Sequence, residues 1–160
     1  MRTPGAVCVG RVEGIMKQVN YIKLEFPARS VNEGFARAAA AAFAAQMDPT
    51  MEELGDIRTA VSEAVTNAIV HAYPREIGTV TMRLRRREGN VLELMVRDRG
   101  VGIPDVKRAM EPMFTTGGEE RSGMGFTIMG SFMDGLRVRS APGKGTTVTM
   151  SKKIAVKASR

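Results

Sequence analysis

Residues 58–71, Arg-Thr-Ala-Val-Ser-Glu-Ala-Val-Thr-Asn-Ala-Ile-Val-His, decide how this chain is read. Ile57, Val61, Ala64, Val65, Ala68 and Ile69 recur at helical spacing and make one apolar stripe. Glu63 and Asn67 are four apart, so they stand one turn above the other, and His71 continues the row. A carboxylate beside an amide on a half-buried helix suits chemistry or an ion. The amide oxygen is a hard ligand for Mg²⁺, which takes few protein ligands and keeps waters and substrate phosphates for the rest. The carboxylate can accept a proton from an attacking hydroxyl. A polar face meeting solvent, or capping a neighbouring loop, would use the same residues. The helix alone does not decide.

Working outward, Thr50-Met-Glu-Glu53 is a capping box that starts this helix, and Tyr73-Pro74 ends it. Upstream, Ser30-Val-Asn-Glu33 reads as a second capping box, opening a helix through Phe35, Ala36, Ala39, Phe43 and Ala44. Before it, Tyr21 to Phe26 alternates as a half-buried strand. Downstream, Val80, Met82 and Leu84, then Leu92, Leu94 and Val96, alternate with polar residues around a turn at Glu88-Gly-Asn90. That hairpin has one buried face and one wet, basic face. A short helix around Val106–Met110, a helix from Phe126 to Met133, and strands at Leu136–Arg139 and Thr146–Ser151 complete the chain. Phe114–Arg121 has no period and reads as a mobile flap. The expected fold is α+β: a two-layer sandwich with a mostly antiparallel, five-stranded sheet and three main helices on one face. Residues 1–20 read as a loose tail, 21–154 as the domain and 155–160 as a C-terminal tail.

The 160 residues suit one domain, and 43% hydrophobic with 26% charged residues is an ordinary globular composition. No apolar run approaches a membrane span, and the first residues are too weak for a signal peptide. A single cysteine, Cys8, excludes an internal disulfide framework, and no Cys/His cluster could hold zinc. A cytoplasmic protein is expected. The net charge of +7, with Arg83, Arg85, Arg86 and Arg87 bunched, fits a nucleic acid, an acidic protein partner or a nucleotide. Trp is absent and Tyr and Phe are few, so no aromatic platform for bases is expected, nor direct nucleic-acid binding.

Three Gly-rich elements follow the Glu63/Asn67 helix: Asp98-Arg-Gly-Val-Gly102, Ser122-Gly-Met-Gly-Phe126 and Gly143-Lys-Gly-Thr-Thr147. None is a Walker loop, and no βαβ crossover surrounds any of them. Singly, each could be an ordinary turn or cap. Together they read as one nucleotide site. Asp98, at a strand end, can accept the exocyclic amine of adenine, and Gly102 allows a close backbone approach. Gly123 and Gly125 lie at a helix N-terminus that attracts phosphate, with Arg121 just before it. Thr147 has a hydroxyl placed to hold a water or the base.

The set ExxxN, DxGxG, GxG before a helix and GTT resembles the Bergerat-type ATP-binding fold shared by gyrase, a heat-shock chaperone, sensor histidine kinases and mismatch-repair ATPases. Within it, SEAVTNAIVHAY, VRDRGVGIPD, PMFTT and ERSGMGFTIM closely resemble the anti-sigma factor serine kinases, in particular the sporulation anti-sigma F group, over roughly Lys23 to Ile154. That resemblance implies a homodimer that silences a sigma factor and phosphorylates a serine of an anti-anti-sigma partner with ATP and Mg²⁺. By the same resemblance Asn67 is the Mg²⁺ ligand and Glu63 the base. Asp98 and Gly102 contact adenine with Thr147 behind them. Gly123 and Gly125 contact phosphate, Arg121 the γ-phosphate, and Arg37 docks both protein partners. The tail before Met16 is extra to the family pattern. The rival readings are a nucleotide-dependent sequestering module without phosphoryl transfer and a stress-response anti-sigma kinase. A detached histidine kinase domain would need a phosphoacceptor His on a dimerising helix, and the single His lies inside the nucleotide motif.

Overall fold

In the computed structural model, which describes residues 5–10, 17–112 and 124–157, a six-stranded antiparallel sheet carries helices on one face. The elements run β1 (Gly5–Gly10), β2 (Gln18–Pro27), α1 (Val31–Ala45), α2 (Met51–His71), β3 (Thr79–Arg87), β4 (Val91–Asp98), α3 (Val106–Ala109), α4 (Gly125–Phe132), β5 (Gly135–Ser140) and β6 (Thr146–Lys153). The sheet order is β1-β5-β6-β4-β3-β2. The α+β two-layer sandwich therefore forms, with one strand more than expected. That strand comes from the tail. Gly5–Gly10 pairs antiparallel with β5, and a Cβ added at Gly5 would meet Val106 of α3 at 3.5 Å, an ordinary packing distance. Gly5 and Gly10 bracket Ala-Val-Cys-Val, a run apolar enough to close an edge but too short to show a period. Residues 18–20 likewise belong to β2 and not to a tail.

The core is the helix-facing row of the sheet closed by the apolar stripe of α2. Val80, Met82 and Leu84 of β3 and Leu92, Leu94 and Val96 of β4 meet Ile57, Val61 and Val65, all buried. Each such side chain contributes roughly 1.5–3 kcal/mol by leaving water. On α1, Ala36, Ala40 and Ala44 are fully buried and let the helix lie close against its neighbours.

The two expected capping boxes have different outcomes. At Thr50 both halves form: Glu53 N donates to Thr50 Oγ1 at 3.1 Å and Thr50 N to Glu53 Oε2 at 2.8 Å. At Ser30 neither does, since Ser30 is itself helical and its side chain caps nothing. Glu33 turns across to α2 instead, accepting from Ser62 Oγ and pairing with Arg37 at 3.4 Å. A partner on another helix won over the local cap.

Candidate functional site

The capping box fixes where α2 starts, and its stripe fixes which side faces the sheet, so its polar residues take the remaining side. Glu63 and Asn67 are both half-buried there. Gly125, the first residue of α4, lies against them: a Cβ at that position would sit 3.2 Å from Asn67 Nδ2 and 3.3 Å from Glu63 Oε2. The absence of a side chain at Gly125 keeps a space open between the helix N-terminus and this pair. Met124, the N-cap of α4, makes no side-chain cap hydrogen bond among the described residues, and the N-terminal end of a helix attracts anions. Met129, fully buried, anchors α4 in this position. Burial raises the Glu63 carboxyl above its usual range, and the nearby Glu33 carboxylate adds to the effect.

The second half of the site is the end of the sheet. Asp98 closes β4 at 7% exposure, and its Oδ1 accepts from Gly100 N at 2.9 Å and Thr146 N at 3.2 Å. Burial pushes its carboxyl up, against the pull of those two N–H donors. Gly102 has φ 75°, and a Cβ there would collide with the Ala141 carbonyl. Only glycine fits. The loop is tied to α2 through Val101 N, which donates to Ala72 O at 2.9 Å. Glu63, Asn67 and the Asp98 loop thus lie along the C-terminal half of α2. At 1.5 Å per residue the span from Glu63 to Ala72 is about 13 Å, the length scale of a nucleoside triphosphate.

Two expectations about position need correction or limits. Thr147 is not beside Asp98. It pairs with Arg97 of β4 and Arg139 of β5, and side chains alternate along a strand, so it belongs to the opposite face of the sheet. The threonine on the Asp98 face is Thr146. Its hydroxyl lies 2.8 Å from Ser140 Oγ, which also accepts from Ile103 N at 2.7 Å and donates to Gly145 O at 2.9 Å. In the run Gly-Thr-Thr-Val the strand phase settles which threonine faces inward, and counting back from core-facing Val148 would have found Thr146. Ser140 carried no motif signal. Arg121 and Gly123, with the flap 114–121, fall outside the described residues.

Arg37 sits on α1, half-exposed, away from the Gly-rich loops. One residue links it to the site: Glu33 bonds Ser62, the neighbour of Glu63.

The donor set suits a hard cation. Asn67 supplies an amide oxygen beside the N-terminus of α4, with the Glu63 carboxylate one turn away, in a cradle that a Cβ at Gly125 would narrow. Among the described residues no group of three or more His, Cys, Asp or Glu could hold a metal by itself. An ion here would draw most ligands from phosphates and water, which is the habit of Mg²⁺. Among those residues, no helix is long and apolar enough to cross a membrane.

Comparison with known proteins agrees with this fold. The profile of the histidine kinase-like ATPase domain matches residues 26–152. The anti-sigma F factor of Thermoanaerobacter pseudethanolicus is 54% identical over 140 residues, covering 87% of this chain and 97% of the relative. That of Caldanaerobacter subterraneus subsp. tengcongensis is 56% identical over the same length and shares. Among solved structures, the RsbU and RsbW domains of a Mycobacterium tuberculosis protein superpose with TM-score 0.65 at 18% identity, over 88% of this chain. This chain spans about a third of that structure, 34%, and the likeness is one of fold.

Proposed function

This chain belongs to the anti-sigma F factor family of histidine kinase-like ATPase domains, and from that we propose that it is a sigma-sequestering serine kinase. It binds and inhibits a sporulation-type sigma factor. It uses ATP with Mg²⁺ to phosphorylate a serine of an anti-anti-sigma protein, acting in the cytoplasm as a homodimer. The observation that carries the kinase reading is the meeting of Glu63, Asn67 and the glycine start of α4, one nucleotide length from Asp98.

In this reading adenine lies at the sheet end. Its exocyclic amine donates to Asp98, and the Gly102 turn keeps side chains out of its way. The triphosphate runs along α2 toward the N–H groups of α4, with Arg121 and Gly123 contributing from the segment before it. Asn67 Oδ1 would hold Mg²⁺, which would supply charge neutralisation at the phosphates. The substrate serine oxygen bonds to the γ-phosphorus while the bond to the bridging oxygen of ADP breaks, and Glu63 takes the hydroxyl proton. Positioning supplies most of the rate, so the base contributes about 10²–10⁴-fold. Arg37 docks the protein partners at the far end of the Glu33 link.

The test is incubation with γ-labelled ATP and an anti-anti-sigma protein. Label should appear on a serine of that protein, and Glu63→Gln should lose about 10²–10⁴ in rate while keeping ATP and sigma binding. Wild-type transfer by a folded Glu63→Gln protein would remove Glu63 as the base. ATP and sigma binding without any transfer by the wild type would favour pure sequestration.

A further inference from the structure

The helices cover one face of the sheet. The other is uncovered by any described element, and its side chains are those that alternate with the core row. The register sets them in lines. Arg97, Thr147 and Arg139 stand directly opposite one another on β4, β6 and β5. The next line runs Arg83, Met95, Thr149, Arg137. With strands about 4.8 Å apart, the backbones of Arg97 and Arg139 flank Thr147 at a separation of about 10 Å. The result is a shallow trough with a hydroxyl floor on β6, Arg137 and Arg139 along the β5 side, and Arg97 and Met95 along the β4 side, with Arg83 one strand further out.

Charge on this face is not balanced from within. Glu93 is engaged by Arg85 and by Arg87, the latter at 3.0 Å, and Glu25 by Lys23 at 3.6 Å. Arg97, Arg137 and Arg139 form no ion pair among the described residues. In addition, Arg83 Nε and Arg85 Nε are shielded from solvent and have no acceptor among the described residues. Buried donors normally find partners. Here the surplus cations share a single face.

We propose that this open face is a docking surface for an acidic polypeptide segment, separate from the nucleotide site. Carboxylates match guanidinium forks in paired hydrogen bonds, and the threonine hydroxyls of the floor can donate to them. A width of about 10 Å accommodates one helix or one extended strand. A single-stranded nucleic acid would want aromatic rings to stack on, and the trough floor holds none. Because Asp98 and Thr146 face the helix side, a segment bound here leaves them free. The proposal goes beyond the kinase reading and stands without it.

The experiment uses the full chain, a labelled poly-L-glutamate peptide and a single-stranded oligonucleotide of matched charge, at low and physiological salt. Arg137→Glu/Arg139→Glu reverses two cations of the trough. Arg58→Glu/Lys157→Glu makes the same change in net charge on other surfaces. The trough variant should bind poly-glutamate about tenfold more weakly or worse, while the control stays near wild type and nucleotide affinity is unchanged in both. If the trough variant does not fold, Arg97→Gln/Arg139→Gln is read the same way. Equal losses in trough and control variants would reduce the effect to bulk charge and overturn the proposal. So would a wild-type protein that ignores poly-glutamate at low salt, or an oligonucleotide that binds more tightly than the peptide and is lost with the trough.

Discussion

At Gly102 the backbone stands at φ 75° with the Ala141 carbonyl where a side chain would begin, so this single atom position joins the β4 loop to the β5–β6 turn. Gly102→Ala would meet a left-handed penalty of about 1–2 kcal/mol before any clash is counted. Displacing Ala141 and Pro142 to make room would then disturb the Asp98 end of the site. Urea unfolding should show a loss beyond that figure, and nucleotide titration a weaker affinity. Asp98 gives a pH signature. Its folded pKa is raised, so between the ordinary carboxylate value and the folded value the native state holds a proton that the unfolded state has released. Stability therefore falls as pH rises through that window, and is unaffected by this group below it. Asp98→Asn removes the titration. The stability of the variant relative to wild type should climb with pH across the window and be flat at lower pH. A difference that is flat throughout would mean burial does not perturb Asp98.

Among the elements, α4 is the one on which the site depends most, and it is short. Its C-terminal end is held by Lys152, a buried cation in the core-facing row of β6, whose Nζ donates to Phe132 O at 2.7 Å and meets Asp56 of α2 at 3.1 Å. This one side chain ties β6, α2 and α4 together. A cation at a helix C-terminus also complements the carbonyl end of the dipole. Lys152→Ala should cost about 1.5–3 kcal/mol, the scale of hydrogen bonds to a charged group. It should also loosen α4 against Glu63 and Asn67. Chemical denaturation measures the first, and amide exchange over residues 125–132 the second. No loss of stability would show that Asp56 and Phe132 O are equally well served by water.

At the scale of the whole molecule, the sheet has two edges of different character. One is β1, with α3 packed beside it; the other is β2, and beside it Val31 and Phe35, one turn apart on α1, are 78% and 59% exposed. An open edge flanked by apolar side chains is a place for pairing. A homodimer through β2 and α1 is expected, and Phe35→Asp should shift it to monomer in sedimentation at micromolar concentration. A wild-type monomer under those conditions would rule the dimer out.

The sequence by itself determined the elements whose signals are local and repeated. The stripe of α2, the alternation of β3 and β4 and the capping box at Thr50 lead to the α+β sandwich, because each depends on neighbours a few residues away. It also picked out Glu63, Asn67, Asp98 and the glycines as candidates, none of them by itself but through their joint order along the chain and the family resemblance that this order carries. The tertiary structure decided everything that needed a partner far along the chain. Glu33 abandoned the Ser30 cap because Ser62 was within reach. The tail became a strand because β5 offered a free ladder. Thr146, not Thr147, came to lie beside Asp98 because side chains alternate on a strand, so a step of one residue moves a side chain to the other face. Local propensity is blind to such choices, since they turn on which groups packing brings together and not on which groups are adjacent in the chain.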